Sequence, residues 1–295
     1  MCGIEDGPRA SIVRPADWVV AGLVPVIVAA LFGRVLGMWW GADDPMALWH
    51  DSRHGASSTF LDPDVWQSFN PASLTPWMLT SLDFDLALFG LEPAGFYLHQ
   101  LIGLGVAALA LYACLRLFLS PVASAAGVIV LLTAPASVEI AGNLVTRHYV
   151  EGLVFACLSF FLFVLSIRRS NRSLQLIAAA SFAVAMTAKE IFVPMPIVLA
   201  LLPEGDPRAR LRRLAPFALI GGVYAGWRFW MLGSLAGGYR DGLLPSVPEV
   251  VAWLRAAAES TRVSTELFAA GGLAAVIVGA VALLGCSSGW RLSLI

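Results

Sequence analysis

Long apolar runs separated by short polar breaks dominate the chain. The first two extend over about 17–38 and 94–115, and each reaches the roughly 20 residues that a helix needs to cross a ~30 Å hydrocarbon core. A bilayer offers no water to backbone N–H and C=O groups, so such runs must be helices packed together. The later runs lie at about 121–135, 149–167, 173–188, 191–203, 214–233 and 264–285. The pattern predicts an all-α polytopic transmembrane helix bundle of about eight spans, forming a single membrane domain over residues 1–295.

The composition agrees with a membrane protein and excludes a soluble globular domain. Hydrophobic residues make up 58% of the chain and charged residues 13%, with a mean hydropathy of +0.78. Soluble domains carry roughly 25% charged residues. The first run is too long for the ~7–15-residue core of a signal peptide, so we expect an uncleaved first span. A net charge of −1 gives no indication of nucleic-acid binding. The four cysteines are scattered and are interpreted as small core residues.

Two arginine-rich segments predict how the chain is threaded. They are Arg168, Arg169 and Arg172, and then Arg208, Arg210, Arg212 and Arg213. Cytoplasmic loops are enriched in Lys and Arg, so both segments are expected on that side, with an even number of crossings between them. This favours two short helices, about 173–188 and 191–203, with Lys189 and Glu190 at an outer turn. Length favours the alternative, one span of 29 residues and about 44 Å.

The segment 39–92 is predicted to be a large first outer loop that carries interfacial helices, because it mixes aromatic with polar residues. Its only cation after residue 39 is Arg53. Its carboxylates are Asp43, Asp44, Asp51, Asp62, Asp64, Asp83, Asp85 and Glu92. The threading also places residues 136–148, the Lys189–Glu190 turn, and a glycine-rich loop with a surface helix at 234–262 on this side. We expect a site where these segments meet.

Four motifs in a fixed order carry a resemblance to a known family. They are Asp43-Asp44-Pro45; Leu82-Asp83-Phe84-Asp85-Leu86 with the residues up to His99; Ala134-Pro135-Ala136-Ser137-Val138-Glu139 leading to Arg147; and Ala185-Met186-Thr187-Ala188-Lys189-Glu190. In these, the chain resembles GT-C class polytopic glycosyltransferases, especially the dolichyl-phosphate-mannose protein mannosyltransferases and the tetratricopeptide-bearing transmembrane mannosyltransferases. The resemblance covers roughly residues 35–202 and implies a seven-span module, here 17–233. Relatives usually have further spans, whereas here only 264–285 follows, and no tetratricopeptide repeat is present.

The resemblance implies a sugar donor linked to polyprenyl phosphate and an acceptor hydroxyl presented on the outer side. Transfer would proceed with inversion, and Asp43 or Asp44 would take the acceptor proton as catalytic base. A base must lie within about 2.6–3.2 Å of the group it deprotonates. The structural alternative is that the two carboxylates cap the first interfacial helix, with Pro45 in its first turn.

Cations on the same side are candidates for the donor phosphate. They are Lys189, Arg147, His148 and Arg240, with Glu190, Glu139 and Tyr239 as supporting residues. Ionisable groups at membrane depth are costly and are often functional. The alternatives are interfacial anchoring of the cations and pairing of Glu190 with a loop arginine.

A metal site is a weaker possibility. His50 and His54, together with Asp43, Asp44 and Asp51, have a spacing that a helix could use to bind zinc. We expect no metal and no cofactor.

Two other functions remain open at the sequence level. One is a transporter or lipid-linked-sugar flippase, although no repeated half of the kind common in transporters is evident. The other is a non-catalytic, truncated glycosyltransferase relative that serves in assembly. The expected partners are the polyprenyl-phosphate sugar donor, an unknown hydroxyl acceptor and the lipid bilayer, and no nucleic acid. The expected location is the bacterial cytoplasmic membrane, with the site facing the periplasm or outside.

Overall fold

A computed structural model describes residues 14–41, 43–235 and 255. In these ranges the chain is helical and has no strand. The helices are α1 Pro15–Phe32, α2 Asp44–Leu61, α3 Pro63–Phe69, α4 Pro76–Phe89, α5 Pro93–Arg116, α6 Pro121–Thr133, α7 Pro135–Gly142, α8 Arg147–Arg168, α9 Arg172–Ala188, α10 Met195–Ala200, α11 Pro207–Arg213 and α12 Ala215–Leu232. Short 3₁₀ turns occupy Gly33–Gly37, Leu144–Thr146 and Glu190–Phe192. The predicted span 264–285 lies outside the described residues, as does nearly all of 234–262.

Three segments of the described chain are long and apolar enough to cross a membrane. They are Pro15–Gly37, Pro93–Arg116 and Leu144–Arg168. Helices α6 and α7 make a fourth candidate, bent by 54° where Pro135 begins α7. A proline disfavours helical backbone at the residue before it, which accounts for the break at Ala134. The chain is therefore all-helical with three to four candidate spans among the described residues.

The expectation of about eight spans is not confirmed. Helix α9 has 17 residues and α10 has six, so at 1.5 Å per residue both are shorter than a ~30 Å hydrocarbon core. Helix α12 has 18 residues but contains Arg228 and is not among the candidates.

The chain reverses at Lys189, as the interpretation with two short helices requires. Lys189 has extended backbone (φ −154°, ψ 134°) between α9 and the turn Glu190–Phe192. After α10 the chain returns to the start of α9, where the Gln175 side chain donates a hydrogen bond to the Arg213 carbonyl over 2.8 Å. Arg168 forms an ion pair with Glu204 in the same region. The two arginine-rich segments therefore lie together at one end, here called the arginine end.

Helix α5 occupies the middle of the bundle, packed against α1, α4, α6 and α8. At the arginine end, Arg116 Nε lies 2.8 Å from Asp17 Oδ1, which joins the end of α5 to the start of α1. At the opposite end, the Tyr97 hydroxyl donates to the Trp39 carbonyl over 3.0 Å. This second end, which carries residues 39–92, is here called the loop end.

The predicted outer loop folds into helices with a packed interior. Helices α2 and α4 pack against each other, and α3 packs on α2. Trp66 of α3 is completely buried, and its indole N–H donates to the Ser73 carbonyl over 2.9 Å. Gly55 interrupts α2 with φ +66°, a value that residues with a side chain rarely adopt. The loop is therefore an ordered layer over the loop end of the bundle.

Candidate functional site

One face of α2 carries two carboxylates into the protein interior. Asp44, Ala47, Leu48 and Asp51 recur at helical spacing, and all four side chains are buried. Asp44 and Asp51 are each only 2% exposed. Asp44 Oδ2 accepts a hydrogen bond from the Gly41 amide over 2.6 Å. Both Asp51 oxygens have no hydrogen-bond partner among the described residues. Asp44 Oδ1 makes no hydrogen bond of normal geometry, although the Val145 amide lies close enough to lower the pKa of Asp44.

Burial controls the protonation of both groups. It raises the pKa of Asp44 above its ordinary value, while the Gly41 amide and the charge of Arg147 act in the opposite direction. Burial, assisted by the negative charge of Asp83, raises the pKa of Asp51 to about 7. A carboxylate that is hard to solvate is a stronger proton acceptor than one in water, which is the property a general base needs.

Asp43 is placed quite differently from its neighbour. It is exposed at the N-terminal cap position of α2, and its side chain accepts no hydrogen bond from the first turn. Pro45 does lie in that first turn, as the capping interpretation expects. The bond made by Asp44, however, goes back to Gly41 instead of to an amide of α2. The structure thus separates two residues that the sequence left equivalent.

Arg147 is committed to an internal ion pair. It begins α8 and is 1% exposed, and its guanidinium lies 2.5 Å from Asp85 Oδ2. It also donates to the Ser81 carbonyl at 3.3 Å and to the Ser81 hydroxyl at 3.2 Å. Arginine suits such multiple contacts because its donors form a rigid planar fork. These contacts, all made by one terminal nitrogen, fasten α4 to α8. A contact between Arg147 and a donor phosphate stays a prediction.

The same buried cluster contains residues that were not selected from the sequence. His99 Nδ1 lies 2.6 Å from Asp85 Oδ1, and His99 Nε2 lies 3.8 Å from Glu151 Oε1. The Ser81 hydroxyl donates to Glu151 Oε1 over 2.5 Å. One signal was available: Arg147 and Glu151 stand four apart in an apolar run, on one helix face. The pairing with Asp85 and His99 depends on the tertiary fold.

Lys189 is a cation at the loop end with no carboxylate partner among the described residues. It is half-buried, and its ammonium lies 4.7 Å from the centre of the Tyr149 ring. Among the described residues no carboxylate lies within ion-pair distance of it. Gly152 allows the turn to approach α8, because a side chain there would clash with the Phe192 ring. Lys189 thus lies beside the start of α8. The first residue of α8 is Arg147, whose charge lowers the pKa of Asp44.

Glu190 joins three parts of the loop end. Its Oε1 accepts from the Leu74 amide at 3.1 Å and from Arg228 Nε at 2.7 Å. Arg228 in turn donates to the Ser234 carbonyl over 2.5 Å. Glu190 therefore holds the segment between α3 and α4 against the Lys189 turn and α12. Its arginine partner comes from a helix, whereas the alternative interpretation placed that partner in a loop.

The other candidate residues divide into three groups. His148 is buried beside Tyr149, with ring centres 4.6 Å apart, and neither ring nitrogen has a partner in the described structure. Glu139 is exposed on α7, with no hydrogen bond or ion pair to a described residue. Tyr239 and Arg240 lie outside the described residues. The candidate site at the loop end therefore contains Asp44, Arg147, His148, Lys189 and Glu190.

The described residues form no metal-binding group. The His50 and His54 rings are tilted by 41° with centres 4.7 Å apart, and His50 stacks on Phe69. Burial lowers the pKa of His50. No set of three or more His, Cys, Asp or Glu side chains in the described parts of the chain could hold a metal ion.

Comparison with known proteins gives no relative: no family model matches the chain, and no curated protein or solved structure matches it significantly.

Proposed function

We propose that this chain is a membrane glycosyltransferase of the GT-C type that moves a sugar from a polyprenyl-phosphate donor to an acceptor hydroxyl, with inversion. The observation that carries the proposal is Asp44: a buried carboxylate of raised pKa, whose Oδ1 makes no hydrogen bond of normal geometry, in the layer that covers the loop end. A cation without a carboxylate partner, Lys189, lies at the same end.

The proposed step uses these two residues in distinct roles. Asp44 Oδ1 accepts the proton of the acceptor hydroxyl as the hydroxyl oxygen bonds to the anomeric carbon of the sugar. The bond between that carbon and the phosphate oxygen breaks on the opposite side, and polyprenyl phosphate leaves. Lys189 binds the negative charge that develops on the departing phosphate. Arg147, held by Asp85, positions α4 and moderates the basicity of Asp44.

The proposed orientation of the chain in the membrane rests on the arginine residues at the arginine end. Cytoplasmic segments are enriched in Lys and Arg, so we place that end in the cytoplasm and the loop end outside, in a bacterial cytoplasmic membrane. We further propose that α9, α10, α12 and residues 264–285 complete a bundle of about eight spans, with neighbouring tilt and local thinning accommodating the short helices.

The test compares sugar transfer by purified wild type, Asp44→Asn and Asp43→Asn from defined polyprenyl-phosphate hexoses. A general base contributes about 10²–10⁴-fold to the rate. We expect that loss for Asp44→Asn and less than about threefold for Asp43→Asn, which is the matched control one residue away. Equal rates in wild type and Asp44→Asn would remove Asp44 from catalysis. Absence of transfer by wild type with every donor would favour the non-catalytic relative over the enzyme.

A further inference from the structure

An apolar cavity lies between α2 and α4. It has a volume of about 410 Å³ and is lined mainly by Trp40, Pro45, Trp49, Ser52, Leu86 and Leu91. Cavities that hold small ligands typically measure about 300–1,000 Å³. The lining offers almost no hydrogen-bonding groups, so an occupant must be apolar where it enters.

A cation stands at the rim of this cavity. Arg53 follows Trp49 by one helical turn, and its guanidinium carbon lies 4.6 Å from the centre of the Trp49 ring. Arg53 is exposed, and no described carboxylate lies within ion-pair distance of it, although residues 40–92 contain eight carboxylates and no other cation. Stacking on an aromatic face leaves the N–H groups of a guanidinium free for an anion.

The surroundings place the cavity at the boundary of the bilayer. Trp40 follows the candidate span Pro15–Gly37 by three residues. Exposed apolar side chains lie on both of the helices that line the cavity. They are Met46 and Trp49 on α2 and Phe84 and Leu88 on α4, each more than half exposed. Tryptophan and amphipathic helices are enriched where acyl chains meet headgroups. At that depth the available anion is the phosphate of a lipid, and the available apolar ligand is its chain.

We propose that the cavity binds a membrane phospholipid, with an acyl chain between α2 and α4 and the lipid phosphate on Arg53. The lipid would hold the layer of α2 and α4 at the membrane surface. This site is separate from the donor cation Lys189 and does not depend on glycosyl transfer.

The experiment measures lipid retained by purified full-length protein in detergent, using native mass spectrometry after titration with phosphatidylglycerol. Arg53→Gln removes the charge, and Ser52→Phe fills the cavity while keeping the charge. Arg34→Gln is the matched control, because Arg34 is also exposed near the loop end but lies on the segment after α1. All three positions are exposed, and unfolding temperatures check that each variant is folded.

We expect Arg53→Gln and Ser52→Phe each to weaken retention about tenfold or more, the scale of one lost hydrogen bond to a charged group. Arg34→Gln should match wild type, and diacylglycerol, which lacks phosphate, should bind as weakly as phosphatidylglycerol binds to Arg53→Gln. Equal retention by wild type and Arg53→Gln would overturn the proposal. So would displacement of the lipid by millimolar inorganic phosphate, because Arg53 would then be a site for free phosphate.

Discussion

The carboxylates at the start of α2 differ in solvation. Asp43 is exposed, whereas Asp44 and Asp51 are almost completely buried on the interior face of α2. Burial penalises the charged form, so these two residues hold protons more strongly than an ordinary aspartate. Neighbouring charges then tune each one: Arg147 lowers the pKa of Asp44, while Asp83 raises that of Asp51.

Asp51 makes the stability of the protein depend on pH. Its folded pKa of about 7 lies above the ordinary value of 3.8, so the folded chain binds protons more tightly than the unfolded chain. The loss of folding stability caused by the charge of Asp51 is therefore complete above pH 7 and decreases as the pH falls towards 4. We expect Asp51→Asn to stabilise the protein at pH 8 by on the order of 1–3 kcal/mol, and by clearly less at pH 5.

Thermal unfolding in detergent across pH 5–8 measures this difference. Asp64→Asn, which changes an exposed carboxylate on α3, serves as the control and should shift the midpoint little at either pH. An Asp51→Asn midpoint that parallels wild type at every pH would show that Asp51 is not held in a charge-excluding environment.

At the level of the elements, an ion pair fastens α4 to the bundle. Asp85 of α4 and Arg147 of α8 are 0% and 1% exposed, and His99 of α5 completes the link. Breaking such a pair leaves one charge buried without a partner, whereas replacing both members removes that cost. The attachment of α4 should therefore be sensitive to single changes and tolerant of a matched double change.

We expect Asp85→Leu and Arg147→Met to destabilise the protein by about 3–5 kcal/mol each, and the double variant to recover most of that loss. The control is the Arg168–Glu204 pair, whose side chains are 35% and 16% exposed and whose removal should cost at most about 1 kcal/mol. Denaturation in detergent gives the comparison. Additive losses in the double variant would mean that the two residues do not act as a pair.

Features set by residues close together in the sequence could be predicted, whereas features set by tertiary contacts could not. The apolar run predicted a helix at 94–115, close to the observed α5 at Pro93–Arg116. The mixture of aromatic and polar residues in 39–92 predicted helices in that segment, as observed for α2. The reversal at Lys189 followed from arginine placement alone. The choice between Asp43 and Asp44, and the partner of Arg147, could not be predicted. Both depend on which surfaces pack together, and Asp85 and Arg147 are 62 residues apart.

At the scale of the whole molecule, charged side chains lie at both ends of the described bundle. Arg116, Arg168 and Arg213 lie at the arginine end, and Asp44 and Lys189 lie at the loop end. The span count was the least predictable feature, because helices such as α9 are apolar but short, and hydropathy alone does not distinguish a short span from a helix buried by its neighbours.

Sidedness has a direct measurement in labelling with a membrane-impermeant thiol reagent. Ser57→Cys lies on α2 at the loop end, and Ser170→Cys lies between α8 and α9 at the arginine end, both exposed. We expect intact cells to label Ser57→Cys, and Ser170→Cys to react only after the membrane is permeabilised. Wild type, with its native cysteines, sets the background. Labelling of both variants in intact cells would contradict a bundle with its ends on opposite sides of the membrane.

The most direct measurement of the central claim is the anomeric configuration of the product. Purified protein is incubated with a polyprenyl-phosphate hexose and a hydroxyl acceptor, and NMR determines the configuration of the new glycoside as polyprenyl phosphate is released. We expect a product of opposite configuration to the donor, formed by wild type and lost with Asp44→Asn. Retention of configuration would contradict direct attack assisted by Asp44, and failure to consume any such donor would contradict the assignment as a glycosyltransferase.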